Sequence, residues 1–166
     1  MIVISDTTPL ITLMKIGHLD LLKKIFGEIQ IPEAVYVELT SNPKFQSESN
    51  QIKKCPFIHV KKTSDNRAVN LLRRATGLDI GESEAIILSD DTHADLLLID
   101  EAKGRQVAEQ MGIKIMGTIG LLLASFESEY ISKAEIVEIV EYLRNSSRHI
   151  SERYLNLLLE RINKPY

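Results

Sequence analysis

The sequence predicts an α/β fold with a central parallel sheet of about five strands and helices on both faces. Short apolar segments alternate along the chain with segments in which apolar residues recur at helical spacing. The segment from Ala94 to Ile99 is the most strand-like, because its length and flanks suit a strand that is buried on both faces. Strands that alternate with helices favour right-handed βαβ crossovers and therefore a parallel sheet.

The individual elements follow from the same patterns and from capping residues. Strands are predicted over residues 2–5, 29–31, 57–60, 94–99 and 113–116. Thr8 and Pro9, an N-cap residue and a first-turn proline, begin a first helix, and Pro32 begins another. Further helices are predicted over residues 18–26, 65–75, 82–89, 101–111, 132–143 and 151–162, and after Gly117-Thr118. The polar stretch 41–51 contains little that could pack and is predicted to be a mobile loop.

Size and composition predict one globular domain. A length of 166 residues predicts a single domain, residues 1–166, with residues 132–166 as a helical extension at its end. A hydrophobic content of 44% and a charged content of 26% exclude a disordered chain. No apolar run approaches the ~20 residues that span a bilayer, so no membrane association is expected. Cys55 is the only cysteine, which fits a reducing compartment, and a cytoplasmic location is predicted.

The distribution of charge is more informative than its total. A net charge of -3 does not by itself suggest a nucleic-acid partner. Between Lys53 and Arg74, however, Asp65 is the only acid among many lysines and arginines. This basic stretch could bind a polyanion, and a solvated helix face explains it equally well.

Two acids follow predicted strands directly. In an open parallel sheet, binding sites form beyond the carboxyl ends of the strands, where the strand order reverses. Asp6 follows the first strand and Asp100 follows the fourth, so their carboxylates would face one crevice if these strands are neighbours. Each acid could instead cap the following helix. For Asp6 the capping interpretation is weakened because Thr8 is already positioned to cap.

Three glutamates complete the set of candidates. Asp79 and Glu82 have the spacing of a capping box, which gives Glu82 a structural role at a helix start. Glu84 has no such assignment and could point toward the edge of the sheet. Glu38 lies on a predicted helix, where a glutamate is usually only solvated.

Converging carboxylates favour a hard divalent cation. Without a basic partner they would repel one another, and Mg²⁺ or Mn²⁺ bound by oxygen ligands relieves this repulsion and suits phosphodiester hydrolysis by an activated water. The histidines show no zinc spacing; they are His18, His59, His93 and His149. The sequence has no GxSxG, Walker or GxGxxG motif, which argues against serine hydrolases, NTPases and dinucleotide-binding enzymes. Cys55 is interpreted as a partly buried thiol.

Four segments, in this order, carry a resemblance to a known family. They are ISDTTPLITLMKIGHLDLL, IPEAVYVEL, GESEAI and LLLIDEAKGRQVAEQMGIKIMGTIGLLL. Together they resemble the PIN-like DUF3368 family, which is related to the VapC-type toxin ribonucleases. The resemblance extends from Ile2 to about Ile131, and the last two helices match more loosely.

The resemblance implies a three-layer α/β/α PIN-like fold and an endoribonuclease that cuts single-stranded RNA with Mg²⁺ or Mn²⁺. Position by position, the family's acids match Asp6, Glu38, Glu84 and Asp100, and a shift of one residue would select Glu101 as the fourth acid. The implied metal ligands are Asp6, Glu84 and Asp100, with Glu38 orienting or deprotonating the attacking water.

The resemblance and the charged residues near the predicted site also suggest a substrate and partners. Thr7, Lys103 and Arg105 flank the predicted site and are candidates for binding the RNA. The resemblance also implies a toxin of a toxin–antitoxin pair, a small antitoxin protein as partner, and a homodimer. The alternative is a PIN-fold module that binds RNA or protein without cutting, because many PIN enzymes have an aspartate where this chain has Glu84.

Overall fold

A computed structural model describes residues 1–146 and 150–164, so His149 lies outside the described residues. The chain divides into two compact units, Met1–Gly117 and Thr118–Tyr166. The first unit contains a five-stranded sheet, and the described residues of the second unit form helices. The predicted helical extension, residues 132–166, lies within the second unit.

The sheet is parallel throughout, as the alternation of elements predicted. Its strands are β1 Val3–Ser5, β2 Ile29–Pro32, β3 Ile58–Lys61, β4 Leu96–Leu98 and β5 Ile115–Met116. The strand order is β3-β2-β1-β4-β5, and every neighbouring pair is parallel. The chain therefore reverses its direction of travel across the sheet between β1 and β4. These two strands are neighbours, which is the condition under which Asp6 and Asp100 were expected to face one crevice.

Helices connect the strands of the first unit and form the second. In the first unit they are α1 Thr7–Lys15, α2 Asp20–Phe26, α3 Glu33–Ser41, α4 Gln46–Lys54, α5 Asn66–Thr76, α6 Ile80–Asp91 and α7 Ala102–Gln110, with a 3-10 turn at Pro43–Phe45. In the second unit they are α8 Thr118–Glu127, α9 Lys133–Asn145 and α10 Glu152–Asn163. In the part of the chain that the structure describes, no helix combines the length and apolar character that crossing a bilayer requires.

Both faces of the sheet are buried. Ile4 of β1 and Leu97 of β4 face one side and pack in a cluster with Ile86 of α6. Their neighbours Val3 and Leu98 point to the opposite face and are buried as well. Burial on both faces is typical of parallel sheets between helical layers. The predicted three-layer α/β/α class is confirmed.

The prediction of a mobile loop over residues 41–51 is wrong. This stretch contains the 3-10 turn and most of α4, which packs against α3. Ile52 and Glu48 lie one helical turn apart on the same face of α4 and are both buried. Glu48 can be buried because its carboxylate forms an ion pair with Lys15 of α1, with a distance of 3.0 Å between Nζ and Oε1. The polar composition concealed this inward face.

Candidate active site

A pocket opens where β1 and β4 end. The backbone N–H of Asp6 donates a hydrogen bond to the carbonyl of Leu98 at 2.9 Å, so the residue after β1 lies beside the last residue of β4. The pocket has a volume of about 330 Å³. Its charged lining residues are Asp6, Glu38, Asp79, Glu82, Glu101 and Lys103. We call it the acid pocket, because five carboxyl groups there face one ammonium group.

Asp6 is the most deeply buried acid of this pocket, with only 4% of its surface exposed. The pKa of Asp6 is raised to about 8, mainly by desolvation and also by the nearby charges of Glu82, Asp79 and Glu38, against a hydrogen bond from the backbone of Thr7 that lowers it. A carboxyl group in this condition is protonated near neutral pH unless a cation compensates its charge. The pocket is therefore electrostatically suited to take up positive charge.

The start of α1 differs from the sequence prediction. The helix begins at Thr7, so the N-cap position belongs to Asp6, and Thr8 lies exposed in the first turn. The prediction that Thr8 caps the helix is therefore wrong. Asp6 occupies the N-cap position, but its side chain makes no capping hydrogen bond. The acidic side chain is thus directed to the pocket without serving as the helix cap.

Glu82 has both a structural position and a place in the acid pocket. The predicted capping box of α6 is present: Glu82 N–H donates to Asp79 Oδ1 at 2.8 Å, and Asp79 N–H donates to Glu82 Oε2 at 3.1 Å. Only Oε2 takes part in this motif. Burial raises the pKa of Glu82, and the charges of Asp79, Glu101 and Glu38 act in the same direction. A capping role therefore does not exclude a role in the pocket.

Glu38 is linked to the loop after β1. Thr7 Oγ1 donates a hydrogen bond to Glu38 Oε2 at 2.8 Å. Thr7 is buried, whereas Glu38 is exposed and lines the acid pocket. The hydroxyl of Thr7, which the sequence suggested as a candidate for binding the RNA, orients a carboxylate that belongs to a different helix.

Glu84 lies outside the acid pocket, near the start of α3. Its Oε2 accepts a hydrogen bond from the backbone N–H of Ala34 at 2.8 Å, in the first turn of α3. Glu84 does not line the acid pocket. Its carboxylate instead satisfies a free N–H group at a helix start, where a negative charge is favourable.

The two acids after β4 point to different places. Glu101 occupies the N-cap position of α7, makes no side-chain capping bond and lines the acid pocket. Asp100 does not line the pocket. A Cβ atom on Gly117 would lie 3.0 Å from Asp100 Oδ1, so this carboxylate is directed toward the end of β5. Of the acids matched to the family's positions, the pocket brings together Asp6 and Glu38, with the alternative Glu101 in place of Asp100.

Of the two basic residues of α7, only one lines the acid pocket. Lys103 lines the acid pocket, and its Nζ lies 3.1 Å from the position that a Cβ atom of Gly77 would take. Arg105 does not line the pocket, and its Nη1 donates a hydrogen bond to the carbonyl of Ile99 at 2.9 Å. Arg105 thus holds the turn that precedes Glu101.

The oxygen atoms that line the acid pocket are of the kind that bind a divalent cation. Mg²⁺ and Mn²⁺ prefer oxygen ligands, and the pocket presents five carboxyl groups. Among residues 1–146 and 150–164, however, no group of three or more Asp, Glu, His or Cys side chains is arranged to hold a metal ion. Glu101 is exposed and makes no side-chain capping bond, so its side chain can rotate toward Asp6 with little loss of packing.

Cys55 agrees with its interpretation as a partly buried thiol. It is a free cysteine of intermediate exposure. Desolvation raises the pKa of the Cys55 thiol, which lowers the fraction of reactive thiolate. A nucleophilic role for this residue is therefore not supported.

Comparison with known families agrees with the resemblance noted from the motifs. The DUF3368 family, described as a PIN domain, matches residues 2–164. No curated protein matches the sequence. The family match covers almost the whole chain and includes every residue of the acid pocket.

Proposed function

Because the chain belongs to the DUF3368 family of PIN domains, we propose that it is a metal-dependent endoribonuclease that cuts single-stranded RNA. PIN domains are generally nucleases and typically use divalent metal ions. The observation that carries the proposal is the acid pocket, in which buried Asp6 lies among four other acids at the carboxyl ends of β1 and β4. Acids in such a pocket suit a divalent cation, and a bound cation can in turn attract the phosphate of a phosphodiester.

We assign the metal to Asp6, Glu82 and Glu101. Asp6 supplies a desolvated carboxyl group whose charge is unfavourable without a cation. Glu82 keeps Oε1 outside the capping box, and Glu101 is exposed and can adjust. The motif comparison had suggested Glu84 and Asp100 as ligands, but neither lines the acid pocket.

The remaining residues have roles that follow from their positions. When bound, Mg²⁺ or Mn²⁺ lowers the pKa of a coordinated water and offsets charge that develops on the phosphate. Glu38, oriented by Thr7, accepts the proton of the attacking water. Lys103 donates to a phosphate oxygen at the mouth of the pocket. Chain cleavage then requires no nucleophilic side chain.

The central test is cleavage of a labelled single-stranded RNA. The wild-type protein should cut it with Mn²⁺ or Mg²⁺ and stop when EDTA is added. Asp6→Asn should reduce the rate by at least about a hundredfold, because removal of a metal ligand strongly lowers metal affinity or activity. Glu109→Gln, at an exposed position of α7 outside the pocket, is the matched control and should cut at the wild-type rate.

A panel of single substitutions tests the assignment of ligands. Glu82→Gln and Glu101→Gln should lose cleavage, whereas Glu84→Gln and Asp100→Asn should retain most of it. If Glu84→Gln and Asp100→Asn lose cleavage while Glu82→Gln and Glu101→Gln keep it, the metal ligands are those suggested by the motifs.

A second candidate function is a PIN-fold module that binds RNA or protein without cutting. The observation that favours it is the lack, among the described residues, of three side chains arranged to hold a metal ion. Calorimetric titration with Mn²⁺ separates the two functions. A nuclease should bind Mn²⁺ in an Asp6-dependent manner, whereas a binding module should bind RNA equally well with and without the cation.

The family relationship also motivates a biological proposal. We propose that the protein acts in the cytoplasm as the toxin of a toxin–antitoxin pair, forms a homodimer and is covered by a small antitoxin. Induced expression in bacteria should arrest growth, and Asp6→Asn should not. Sedimentation of the purified protein tests the dimer, and normal growth on expression of active nuclease would refute the toxin role.

A further inference from the structure

A groove with a volume of about 930 Å³ runs along α5. Arg67, Asn70, Leu71 and Arg74 line it at helical spacings of three and four residues, so they share one face of the helix. We call this groove the α5 groove. Val69 is buried on another side of the helix. The face toward the groove is therefore not required for the core.

The arginines of this face are free to bind a ligand. In the described ranges 1–146 and 150–164, neither Arg67 nor Arg74 forms an ion pair, and the same holds for Arg73, which also lines the groove. Asp65 is the one acid of the lining, and its Oδ1 accepts hydrogen bonds from the N–H groups of Arg67 and Ala68. That carboxylate serves the helix cap and leaves the guanidinium groups uncompensated.

Leu71 adds an apolar element between these charges. It is 61% exposed, although it lies in the middle of a helix whose other side is packed. An apolar side chain flanked by guanidinium groups and the amide of Asn70 matches the chemistry of a nucleotide, with a flat base and an anionic phosphate.

The α5 groove adjoins the acid pocket through one shared lining residue. Leu78 lines both cavities. Gly77, which ends α5 with a left-handed φ of 74°, also lines the acid pocket, and Lys103 Nζ lies beside it. A chain that passes over Gly77 therefore meets the arginines, then Lys103, then the carboxylates.

We propose that the α5 groove binds the backbone and a base of the single-stranded RNA whose phosphodiester enters the acid pocket. The inference rests on the proposed nuclease function. A polyanion is repelled by the five acids of the pocket, so its binding energy must come from cationic groups close by. The α5 groove supplies guanidinium groups on the path to the pocket, which favours an RNA strand over an acidic peptide.

The test is binding of a short fluorescent single-stranded RNA to the full chain in EDTA, where no metal-dependent cleavage occurs. The double variant Arg67→Ala/Arg74→Ala should weaken binding by about tenfold or more. The slope of log K against log salt should decrease by about 1.4, because each lost phosphate contact on a single strand contributes about 0.7. Leu71→Ser should weaken binding severalfold without changing the slope.

The matched control is Lys53→Ala/Lys54→Ala. It removes two positive charges from the last turn of α4, and these exposed residues line neither the α5 groove nor the acid pocket. Its salt slope should remain close to that of the wild type. Equal losses in both double variants would overturn the proposal, since binding would then depend only on total charge.

Two further outcomes separate this inference from the nuclease proposal. If Mn²⁺-dependent cleavage requires Asp6 but the Arg67/Arg74 variant binds RNA normally, the α5 groove is not the RNA site and only this inference fails. If the variant loses RNA binding but the wild type never cuts, the groove stands and the nuclease proposal fails. An acidic peptide that binds through Arg67 and Arg74 while RNA does not bind would also overturn the inference.

Discussion

Thr7 and Glu38 are joined by a hydrogen bond of 2.8 Å between Oγ1 and Oε2, although 31 positions separate them in the sequence. The bond connects the first residue of α1 to the middle of α3 at the rim of the acid pocket. Glu38 is exposed and would otherwise sample several rotamers. The hydroxyl therefore reduces the freedom of the carboxylate to which we assign the proton of the attacking water.

We predict that Thr7→Val slows RNA cleavage by about tenfold while the fold is preserved. Valine has nearly the same shape, and the lost hydrogen bond to a charged group is worth about 1.5 kcal/mol. Thr7→Ser keeps the hydroxyl and should retain most of the activity. Single-turnover cleavage rates and thermal unfolding measure the two effects. Equal rates for the valine and serine variants would show that the hydroxyl does not matter.

A second prediction concerns Asp6 and pH. The pKa of Asp6 is raised from 3.8 to about 8, so between these values the folded protein holds a proton that the unfolded chain releases. The free energy of unfolding of the metal-free protein should therefore fall as pH rises through this window. Asp6→Asn removes this titration. In EDTA, raising the pH from 4 to 8 should change the stability of the variant relative to the wild type in favour of the variant, by on the order of 5 kcal/mol.

Denaturant unfolding of both proteins at several pH values measures this difference. It should shrink as pH is lowered toward 4, because the carboxyl group of the unfolded chain then also begins to take up a proton. Mn²⁺ should stabilise the wild type and leave the variant unchanged. A wild type that gains stability on going from pH 5 to pH 8, relative to Asp6→Asn, would contradict the assigned burial and charge environment.

The parallel sheet and the position of Asp6 at its carboxyl edge could be predicted from the sequence because both follow from local patterns. Alternating elements predict the parallel sheet, and an acid after its first strand must lie at the carboxyl edge. The choice between Glu82 and Glu84 could not be predicted in this way. Glu82 and Glu84 are two residues apart on α6, so about 200° of rotation around the helix axis separates their side chains and they lie on nearly opposite sides. The sequence does not reveal which side faces the pocket.

Two other differences between the sequence predictions and the structure also depend on contacts that a local pattern does not reveal. Asp100 and Glu101 are adjacent, and only the path of the chain after β4 decides which carboxylate enters the acid pocket. For α4, the buried position of Glu48 depends on Lys15, which lies on a helix far away in the sequence. Contacts between distant elements, rather than local propensity, determined these features.

A third prediction concerns Arg105, whose Nη1 binds the carbonyl of Ile99. Arg105→Lys keeps the positive charge but loses the geometry of this hydrogen bond. If Arg105 holds the turn before Glu101, the lysine variant should lose about 1 kcal/mol of stability and show weaker Mn²⁺ binding. If it binds RNA through charge, the lysine variant should behave as the wild type, and only Arg105→Ala should weaken RNA binding.

The last prediction separates the two glutamates of α6. Glu82→Gln should leave the free energy of unfolding nearly unchanged, because glutamine can also serve in a capping box. It should nevertheless weaken Mn²⁺ binding by about tenfold or more, since a charged ligand is lost. Glu84→Ala should do the opposite: loss of the bond to Ala34 N–H should cost about 1 kcal/mol of stability and leave Mn²⁺ affinity intact. Calorimetry measures the Mn²⁺ affinity of the two variants, and thermal unfolding measures their stability. If Glu84→Ala weakens Mn²⁺ binding and Glu82→Gln does not, Glu84 rather than Glu82 is the metal ligand.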